Sequence, residues 1–207
     1  MSHYFSEQPS VASDEREVVI ELVDPPLNLR TDRGVFSHGR LDTGTELLLR
    51  HAPSPPVTGV FLDLGCGAGA IALTLARRSP GSQVIAIDTN ERARRLCAAN
   101  ALRNGLPNVE VVAPDAVDSA LRFDLIWSNP PIRIGKAQLH ELLASWLGRM
   151  TPTGSTVLVV QKHLGADSLQ RWLTDHGWPT ERLASSKGYR LLSVASGPRR
   201  VDGDADP

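Results

Sequence analysis

About a third of the way along, the chain reads Val60-Phe61-Leu62-Asp63-Leu64-Gly65-Cys66-Gly67-Ala68-Gly69. The apolar first half predicts a buried strand, and the apolar run that follows, Ala70 to Arg78, predicts a helix. Three glycines at alternate positions predict a tight turn in which the backbone can approach a ligand without side-chain obstruction. A strand, a glycine turn and a helix in this order indicate an α/β fold with a binding loop after its first core strand.

The alternation of strands and helices continues beyond this loop. The predicted strands are Val60–Leu64, Gln83–Ile87, Val109–Val112, Phe123–Trp127, Thr156–Val160, Glu181–Ser185 and Tyr189–Ala195, and the predicted helices are Ala70–Arg78, Glu91–Arg103, Lys136–Met150 and Ala166–Asp175. These lengths predict a doubly wound, mostly parallel sheet of seven strands with helices on both faces. Lys187-Gly188 suits a tight reversal, so the last two strands are expected to form an antiparallel C-terminal hairpin.

The segment before the core is predicted to be an extension of the same domain. Glu17 to Val23 and Leu27 to Arg30 are expected to pair as a small N-terminal β-hairpin that covers the catalytic edge of the sheet. Glu46 to Arg50 is expected to lie in a short capped helix. We therefore expect a single domain over residues 1–197, with an extension (1–56) and a catalytic core (57–197). The polar tail, residues 198–207, is expected to be disordered.

Composition is ordinary for a globular protein and excludes several classes of function. The chain has 207 residues, 41% of them hydrophobic, and a formal net charge of −1, which argues against a strongly cationic nucleic-acid binder. No apolar run reaches the roughly 18 residues of a membrane span, and no secretory signal is recognisable. The two cysteines, Cys66 and Cys97, lack metal-ligand spacing. We expect a cytoplasmic protein that binds neither a metal nor a membrane.

Acidic residues mark the ends of the first three core strands. Asp88 is expected to accept hydrogen bonds from both hydroxyls of a ribose, Asp115 from an adenine amino group, and Asp63 to orient an ammonium group. The compressed G-x-G-x-G spacing leaves less room for a pyrophosphate than G-x-G-x-x-G does, and it suits the amino-acid part of S-adenosylmethionine. Turn glycines and helix-capping aspartates are the alternative explanation. The predicted cofactor-binding residues are Asp63, Gly65, Cys66, Gly67, Gly69, Asp88, Asp115 and Asn129.

The segment Asn129-Pro130-Pro131 directly follows the fourth core strand. The Asn129 side-chain oxygen and the Pro130 carbonyl can each accept a hydrogen bond from one planar amino group. Such acceptors hold the nitrogen in position and favour a partly positive, pyramidal transition state. The prolines restrict the backbone so that the two acceptors converge. The segment predicts transfer of a methyl group to an exocyclic nitrogen, and an ordinary proline turn is the alternative.

With these motifs in place, the chain resembles the methyltransferase small domain group of class I methyltransferases, which includes small-subunit ribosomal RNA guanine-N2 methyltransferases. The resemblance runs from His3 to Ser196, is most specific in residues 34–44, 128–136 and 187–190, and is greatest with short single-domain members. It implies a Rossmann-like class I methyltransferase fold, with Asp63 to Gly69 as the cofactor motif and Asn129, Pro130 and Pro131 as the catalytic motif.

Two departures from the family pattern concern the substrate. Many amino-methylating relatives carry an aromatic residue after the two prolines, to stack on a flipped base, whereas this chain has Ile132. The larger guanine-N2 enzymes also carry a duplicated N-terminal domain that is missing here. Phe36 and Tyr189 are candidates to replace the stacking residue, and nearby cations are candidates for a phosphate-binding rim. The predicted substrate-binding residues are Phe36, Arg40, Ile132, Arg133, Lys136, Tyr189 and Arg190.

The leading functional hypothesis is methylation of guanine N2 in ribosomal RNA, with free RNA or a ribosomal subunit as partner. The alternatives are methylation of a glutamine amide in a translation protein, methylation of adenine in DNA, and a cofactor-binding RNA chaperone without catalysis. Glutamine-methylating relatives carry an aromatic residue after the prolines and an added helical domain, and this chain has neither. The intact Asn129-Pro130-Pro131 segment argues against a chaperone.

Overall fold

A twisted seven-stranded sheet forms the centre of the protein, whose computed structural model describes residues 11–197. In chain order the elements are β1 (Arg16–Ile20), β2 (Leu27–Thr31), α1 (Thr43–His51), β3 (Thr58–Leu64), α2 (Ala70–Arg78), β4 (Gly81–Ile87), α3 (Glu91–Arg103), β5 (Val109–Val112), β6 (Phe123–Ser128), α4 (Lys136–Leu147), β7 (Met150–Gln161), α5 (Ala166–Asp175), β8 (Thr180–Ser186) and β9 (Tyr189–Ala195). Short 3-10 helices cover Pro114–Ala116, Ile132–Ile134 and Lys162–Leu164.

The strand order confirms the predicted fold class. The central sheet runs β5-β4-β3-β6-β7-β9-β8, and β1 and β2 form a separate two-stranded sheet. Pairing is parallel from β5 to β7, and β9 is antiparallel to both β7 and β8. Lys187 (φ 49°) and Gly188 (φ 80°) make the predicted reversal between β8 and β9. Two consecutive positive φ values are characteristic of the tight turns that connect twisted antiparallel strands.

Each face of the sheet packs against its own helices because side chains alternate along a strand. Trp127 and Val159 point into the apolar cluster that includes residues of α1, α2 and the N-terminal hairpin. Ile126 and Leu158, their neighbours along β6 and β7, point into the opposite cluster, which includes α4 and α5. This alternation also determines on which face the residues just beyond each strand emerge.

The boundary between α4 and β7 differs from the prediction. The helix was expected to continue to Met150, but it ends at Leu147, and Met150 pairs with Phe123 as the first residue of β7. Gly148 closes the helix, and a Cβ at this position would lie 3.2 Å from the Ala144 carbonyl oxygen. Periodicity did not reveal this boundary because Met150 is apolar and buried in either conformation.

Helix α3 holds the N-terminal hairpin beside the carboxyl edge of the sheet. The Asn100 side chain accepts from the Arg30 backbone N–H and donates to the Arg30 carbonyl, both at 2.8 Å. The Asn104 side chain forms the same pair of bonds with the Asn28 backbone. Four hydrogen bonds from α3 side chains therefore pair with the β2 backbone, as a neighbouring strand would. The segment that follows the hairpin, residues 32–42, extends over the glycine loop.

Within residues 11–197 no helix is both long and apolar enough to cross a bilayer. No group of three or more histidine, cysteine, aspartate or glutamate side chains in this range is arranged to hold a metal ion. The predicted disordered tail, residues 198–207, lies outside the described part of the chain.

Candidate active site

A cavity of about 660 Å³ opens at the carboxyl edge of the sheet. The ends of β3, β4, β6 and β7, the start of β9 and the segment over the glycine loop surround it. Carboxyl ends of parallel strands are where such folds bind ligands. A narrower pocket continues from it below the glycine loop. The cavity wall includes Phe36, Ser37, Arg40, Asp42, Gly65, Asp88, Pro114, Asn129, Pro130, Pro131, Ile132, Arg133, Gln161, Leu164 and Tyr189.

The glycine loop leaves open space where side chains would otherwise project. Gly65 and Gly67 have φ values of 85° and 53°, and a Cβ built on either has no heavy atom within 4 Å. Both line the cavity or its narrower extension, as does Cys66. A ligand could therefore approach the backbone closely at these positions.

Gly69 has a different role from the one predicted. It lies at the start of α2 with φ 96°, and a Cβ there would meet Leu73 Cδ1 at 2.7 Å and Cys97 Sγ at 2.8 Å. The assignment of Gly69 to the cofactor surface is therefore corrected, because this glycine permits close packing between the loop and helix α3 and does not face the cavity.

Asp63 is completely buried beneath the glycine loop. Its Oδ2 accepts a hydrogen bond from the Ala72 backbone N–H at 2.8 Å, while Oδ1 has no partner among the described residues. Burial, together with the nearby Asp88 charge, raises the pKa of Asp63 to about 8. A buried carboxyl oxygen without a partner is costly, and a cationic ligand group above the loop would relieve that cost.

Asp88 stands at the end of β4, at the cavity wall, as predicted from its place in the sequence. Its Oδ2 accepts from the Gly67 backbone N–H at 3.0 Å and its Oδ1 from the Asn90 backbone N–H at 2.9 Å. Burial raises the pKa of Asp88, and these two backbone donors oppose the shift. Because a carboxylate oxygen can accept more than one hydrogen bond, both oxygens keep capacity for a pair of ligand hydroxyls.

Asn129 is oriented by two residues that lie far from it in the sequence. Its amide nitrogen donates to Asp42 Oδ2 at 2.8 Å and to Thr45 Oγ1 at 3.0 Å. Asp42 Oδ2 also accepts from the Thr45 backbone N–H at 2.9 Å and so caps helix α1. A carboxylate only accepts hydrogen bonds, so the Asn129 group that faces Asp42 must be the amide nitrogen. The Asn129 side-chain oxygen is therefore available to the cavity.

The Pro130 carbonyl is the second predicted acceptor, and Pro130 lines the cavity together with Asn129. The Pro130 carbonyl accepts a hydrogen bond from the Ile132 backbone N–H at 2.8 Å, which leaves one of its lone pairs available. The chain then enters the short helix Ile132–Ile134, which places Ile132 and Arg133 on the cavity wall.

Most of the predicted substrate-binding residues surround this cavity. Phe36, Arg40, Ile132, Arg133 and Tyr189 line it. Lys136 is exposed at the first residue of α4 and lies outside the wall.

The surroundings of Arg190 correct its predicted place at the substrate rim. Arg190 is 7% exposed and ion-paired with Asp167, with Nη2 at 2.8 Å from Oδ2, because its position in β9 directs it away from the cavity face. Asp115 is exposed on the 3-10 turn Pro114–Ala116, beside Pro114 on the cavity wall, and its contact with an adenine amino group stays a prediction.

Sequence reasoning missed the residues that support Asn129. No motif in the sequence marks Asp42 or Thr45 as a partner of Asn129. Gln161, at the end of β7 on the cavity wall, was missed as well. One signal could have identified Asp42 and Gln161: each lies at or beside the boundary of an element at the carboxyl edge, where polar side chains converge.

The sequence matches the methyltransferase small domain family over residues 26–193. The chain belongs to that family. Among relatives in the methyltransferase small domain family, an uncharacterized protein of Bacillus subtilis is 36% identical over 195 residues, which cover 93% of this chain and 97% of that protein. Ribosomal RNA small subunit methyltransferase C of Stutzerimonas stutzeri is 42% identical over 198 residues, which cover 91% of this chain and 57% of that protein.

The fold has a counterpart among solved structures. The 16S rRNA N2 methyltransferase of T. thermophilus, solved in complex with AdoMet and guanosine, superimposes with a TM-score of 0.77 at 24% sequence identity. The superposition covers 91% of this chain and 52% of that one. This methyltransferase small domain protein thus spans little more than half the length of that neighbour and of the Stutzerimonas relative.

Proposed function

We propose that this protein transfers a methyl group from S-adenosylmethionine to the N2 amino group of a guanine in ribosomal RNA. One observation carries the proposal: the Asn129 amide is held by Asp42 and Thr45 so that its oxygen is available to a cavity that the glycine loop also lines. A hydrogen-bond acceptor with a determined orientation, placed beside a cofactor loop, suits the positioning of a neutral amino group.

The residues at the loop fit S-adenosylmethionine. Gly65 and Gly67 would accommodate its amino-acid part, the unpaired oxygen of Asp63 would accept a hydrogen bond from its ammonium group, directly or through water, and Asp88 would accept from its ribose hydroxyls. The cofactor supplies an electrophilic methyl group on a sulfonium. Pro114, on the wall next to Asp88, would lie beside the adenine.

At the acceptor side, the chain binds and orients the nitrogen and needs no titratable base. An exocyclic amino group has its lone pair delocalised into the ring, so its attack requires a more pyramidal, partly positive nitrogen. The Asn129 oxygen and the Pro130 carbonyl would each accept one N–H bond, which stabilises that developing charge. Acceptors that are already oriented before the reaction need no reorganisation during it.

Exposed cations around the cavity favour RNA as the partner. Arg40 and Arg133 line the opening, Lys136 stands beside it, and Lys187 lies at the hairpin turn on the same edge. They provide a local basic rim although the net charge is −1. The name of the Stutzerimonas relative and the guanosine in the T. thermophilus structure favour the same substrate. We place the reaction in the cytoplasm, on a ribosomal subunit or its RNA.

The substrate class is tested with tritium-labelled S-adenosylmethionine. The full chain is incubated separately with small ribosomal subunits from a strain lacking this protein, free ribosomal RNA, DNA and a protein extract, and labelled nucleosides are separated after digestion. We expect label in N2-methylguanosine from ribosomal material. Label confined to protein would replace the proposal with glutamine methylation, and label in adenine from DNA would replace it with DNA methylation.

Asn129→Ala serves as the mechanistic variant in this assay. Methyl transfer is expected to fall by about a hundredfold or more, the range for loss of a preorganised transition-state partner, with S-adenosylhomocysteine affinity nearly unchanged by calorimetry. Asn28→Ala, at an exposed position of β2, is the matched control and should retain parental activity. Parental activity in Asn129→Ala would refute the role of this amide.

A further inference from the structure

Three polar side chains emerge from neighbouring strands at the cavity. β6, β7 and β9 are adjacent in the sheet, Asn129 follows the last residue of β6, Gln161 ends β7, and Tyr189 begins β9 opposite Gln161. All three line the cavity. Strand alternation places Asn129 and Gln161 on the same face as Trp127 and Val159, and Tyr189 packs against the same apolar cluster. The order in space is therefore Asn129, Gln161, Tyr189.

Gln161 and Tyr189 are coupled to each other. The Gln161 amide nitrogen donates to the Tyr189 hydroxyl at 2.7 Å. The Gln161 carbonyl oxygen has no further partner within the described part of the chain, and the phenol hydrogen remains to be donated. The pair thus presents one acceptor and one donor side by side.

Gly44 holds the Tyr189 ring in place by allowing a close approach to helix α1. A Cβ at Gly44 would lie 2.7 Å from Tyr189 Cε1 and 3.0 Å from Asp42 Oδ2. The backbone that positions the tyrosine ring is thus the same helix start whose cap, Asp42, orients Asn129. The start of α1, at Asp42 and Gly44, therefore positions both Asn129 and Tyr189, which lie at the two ends of the row of polar groups.

We propose that Gln161 and Tyr189 are specificity-determining residues that read the Watson–Crick edge of guanine. This inference rests on the proposed function, in which Asn129 accepts from the 2-amino group. Along that edge guanine presents a 2-amino donor, the N1–H donor and the O6 acceptor. Asn129 (acceptor), Gln161 (acceptor) and Tyr189 (donor) offer the complementary sequence in the same spatial order, and enzymes that flip a base read it along this edge.

The same arrangement disfavours other purines. An adenine whose amino group faces Asn129 would direct its N1 lone pair at the Gln161 oxygen, so two acceptors would be opposed. 2-Aminopurine keeps the 2-amino group but has an N1 acceptor and no O6. A site built around hydrogen bonds rejects a ligand that leaves its polar groups unpaired. The row of three side chains therefore selects guanine.

The test uses guanosine, 2-aminopurine riboside and inosine as probes. Each is titrated into the full chain saturated with S-adenosylhomocysteine, and binding is followed by NMR chemical-shift changes. The parent is expected to prefer guanosine over 2-aminopurine riboside by about tenfold or more, as two neutral hydrogen bonds imply. In Gln161→Leu and Tyr189→Phe this preference should fall toward unity.

A merely structural role for the two residues would alter folding or cofactor binding and leave the preference ratio unchanged. Thermal unfolding and S-adenosylhomocysteine affinity are therefore measured for each variant, and Gln83→Leu, an exposed glutamine on β4, is the matched control. An unchanged ratio in folded variants, or equal parental affinity for guanosine and 2-aminopurine riboside, would overturn the inference.

Inosine separates this inference from the proposed function. It keeps N1–H and O6 but lacks the 2-amino group, so equal binding of inosine and guanosine would count against the Asn129 contact alone. The comparison of guanosine with 2-aminopurine riboside would still report on Gln161 and Tyr189. Absence of saturable guanosine binding to the parent would overturn both.

Discussion

The cofactor side and the acceptor side of the cavity are built in different ways. On the cofactor side, the site is formed by the loop backbone and by the carboxylates of Asp63 and Asp88. Asp88 is held by backbone N–H groups of the loops next to it. On the acceptor side, the functional group is a side-chain amide, and its orientation depends on Asp42 and Thr45, which are 87 and 84 residues away in sequence. The cofactor side is therefore built from neighbouring residues, whereas the acceptor side depends on residues that are distant in the sequence.

This difference predicts how each side responds to change. A cofactor loop made from backbone and adjacent strand ends tolerates substitution elsewhere, because its geometry is set by φ values and strand pairing. An acceptor held through long-range hydrogen bonds depends on helix α1, which reaches the site from the N-terminal extension. Mutations in α1 should therefore affect methyl transfer while leaving the cofactor site intact.

The largest effect is expected from Asp88→Ala on the cofactor side. Loss of this carboxylate should weaken S-adenosylmethionine binding by roughly 1.5–3 kcal/mol, the range for hydrogen bonds that involve a charged group. Isothermal titration calorimetry measures this directly. Asp118→Ala, an exposed aspartate that does not line the cavity, is the matched control. A folded Asp88→Ala variant with parental affinity would remove Asp88 from the ribose site.

An intermediate effect is expected from Asp42→Ala on the acceptor side. The change frees the Asn129 amide, so kcat should fall by about tenfold, because a misplaced reacting group is costly. It also removes the cap of α1 and should lower the free energy of unfolding by about 1 kcal/mol. Cofactor affinity, measured by calorimetry, should remain parental.

Thr45→Val separates orientation from capping in the same assay. Valine lacks the hydroxyl that accepts from Asn129 but keeps the backbone N–H that Asp42 caps. We expect a smaller fall in kcat than for Asp42→Ala, without loss of the capping contribution to stability measured by urea unfolding. If both variants lower cofactor affinity as much as they lower kcat, the cofactor side and the acceptor side are not independent.

Asp63 is expected to make the stability of the folded protein depend on pH. Burial raises its pKa from 3.8 to about 8 in the folded protein, so folding retains a proton that the unfolded chain releases. The contribution of Asp63 to stability is full below about pH 4 and is lost as the pH rises toward 8. Between these pH values, the Asp63 contribution to the free energy of unfolding falls by at most about 1.4 kcal/mol per pH unit. Asp63→Asn should remove this slope.

Urea unfolding between pH 5.5 and 8 measures the effect of Asp63. The parent should lose stability over this range relative to Asp63→Asn, while Asp118→Asn should follow the parent. Parallel pH profiles for the parent and Asp63→Asn would show that the buried carboxyl does not carry the proton.

The amino-acid sequence by itself determined the order of strands and helices, the glycine loop and the positions of Asp63, Asp88 and Asn129 at strand ends. These features are local: apolar periodicity distinguishes strands from helices, and parallel strands necessarily bring their carboxyl ends to one edge. The antiparallel end of the sheet was predictable for the same reason, since Lys187-Gly188 is a turn signal in itself.

The tertiary structure alone decided which side chains surround those positions. It paired Arg190 with Asp167, although the sequence placed this arginine at the substrate rim. It also joined Asp42 to Asn129 and Gln161 to Tyr189. Such contacts depend on strand alternation, on where each element ends and on how helices pack across the sheet. No local pattern contains that information, because the partners come together only when the chain has folded.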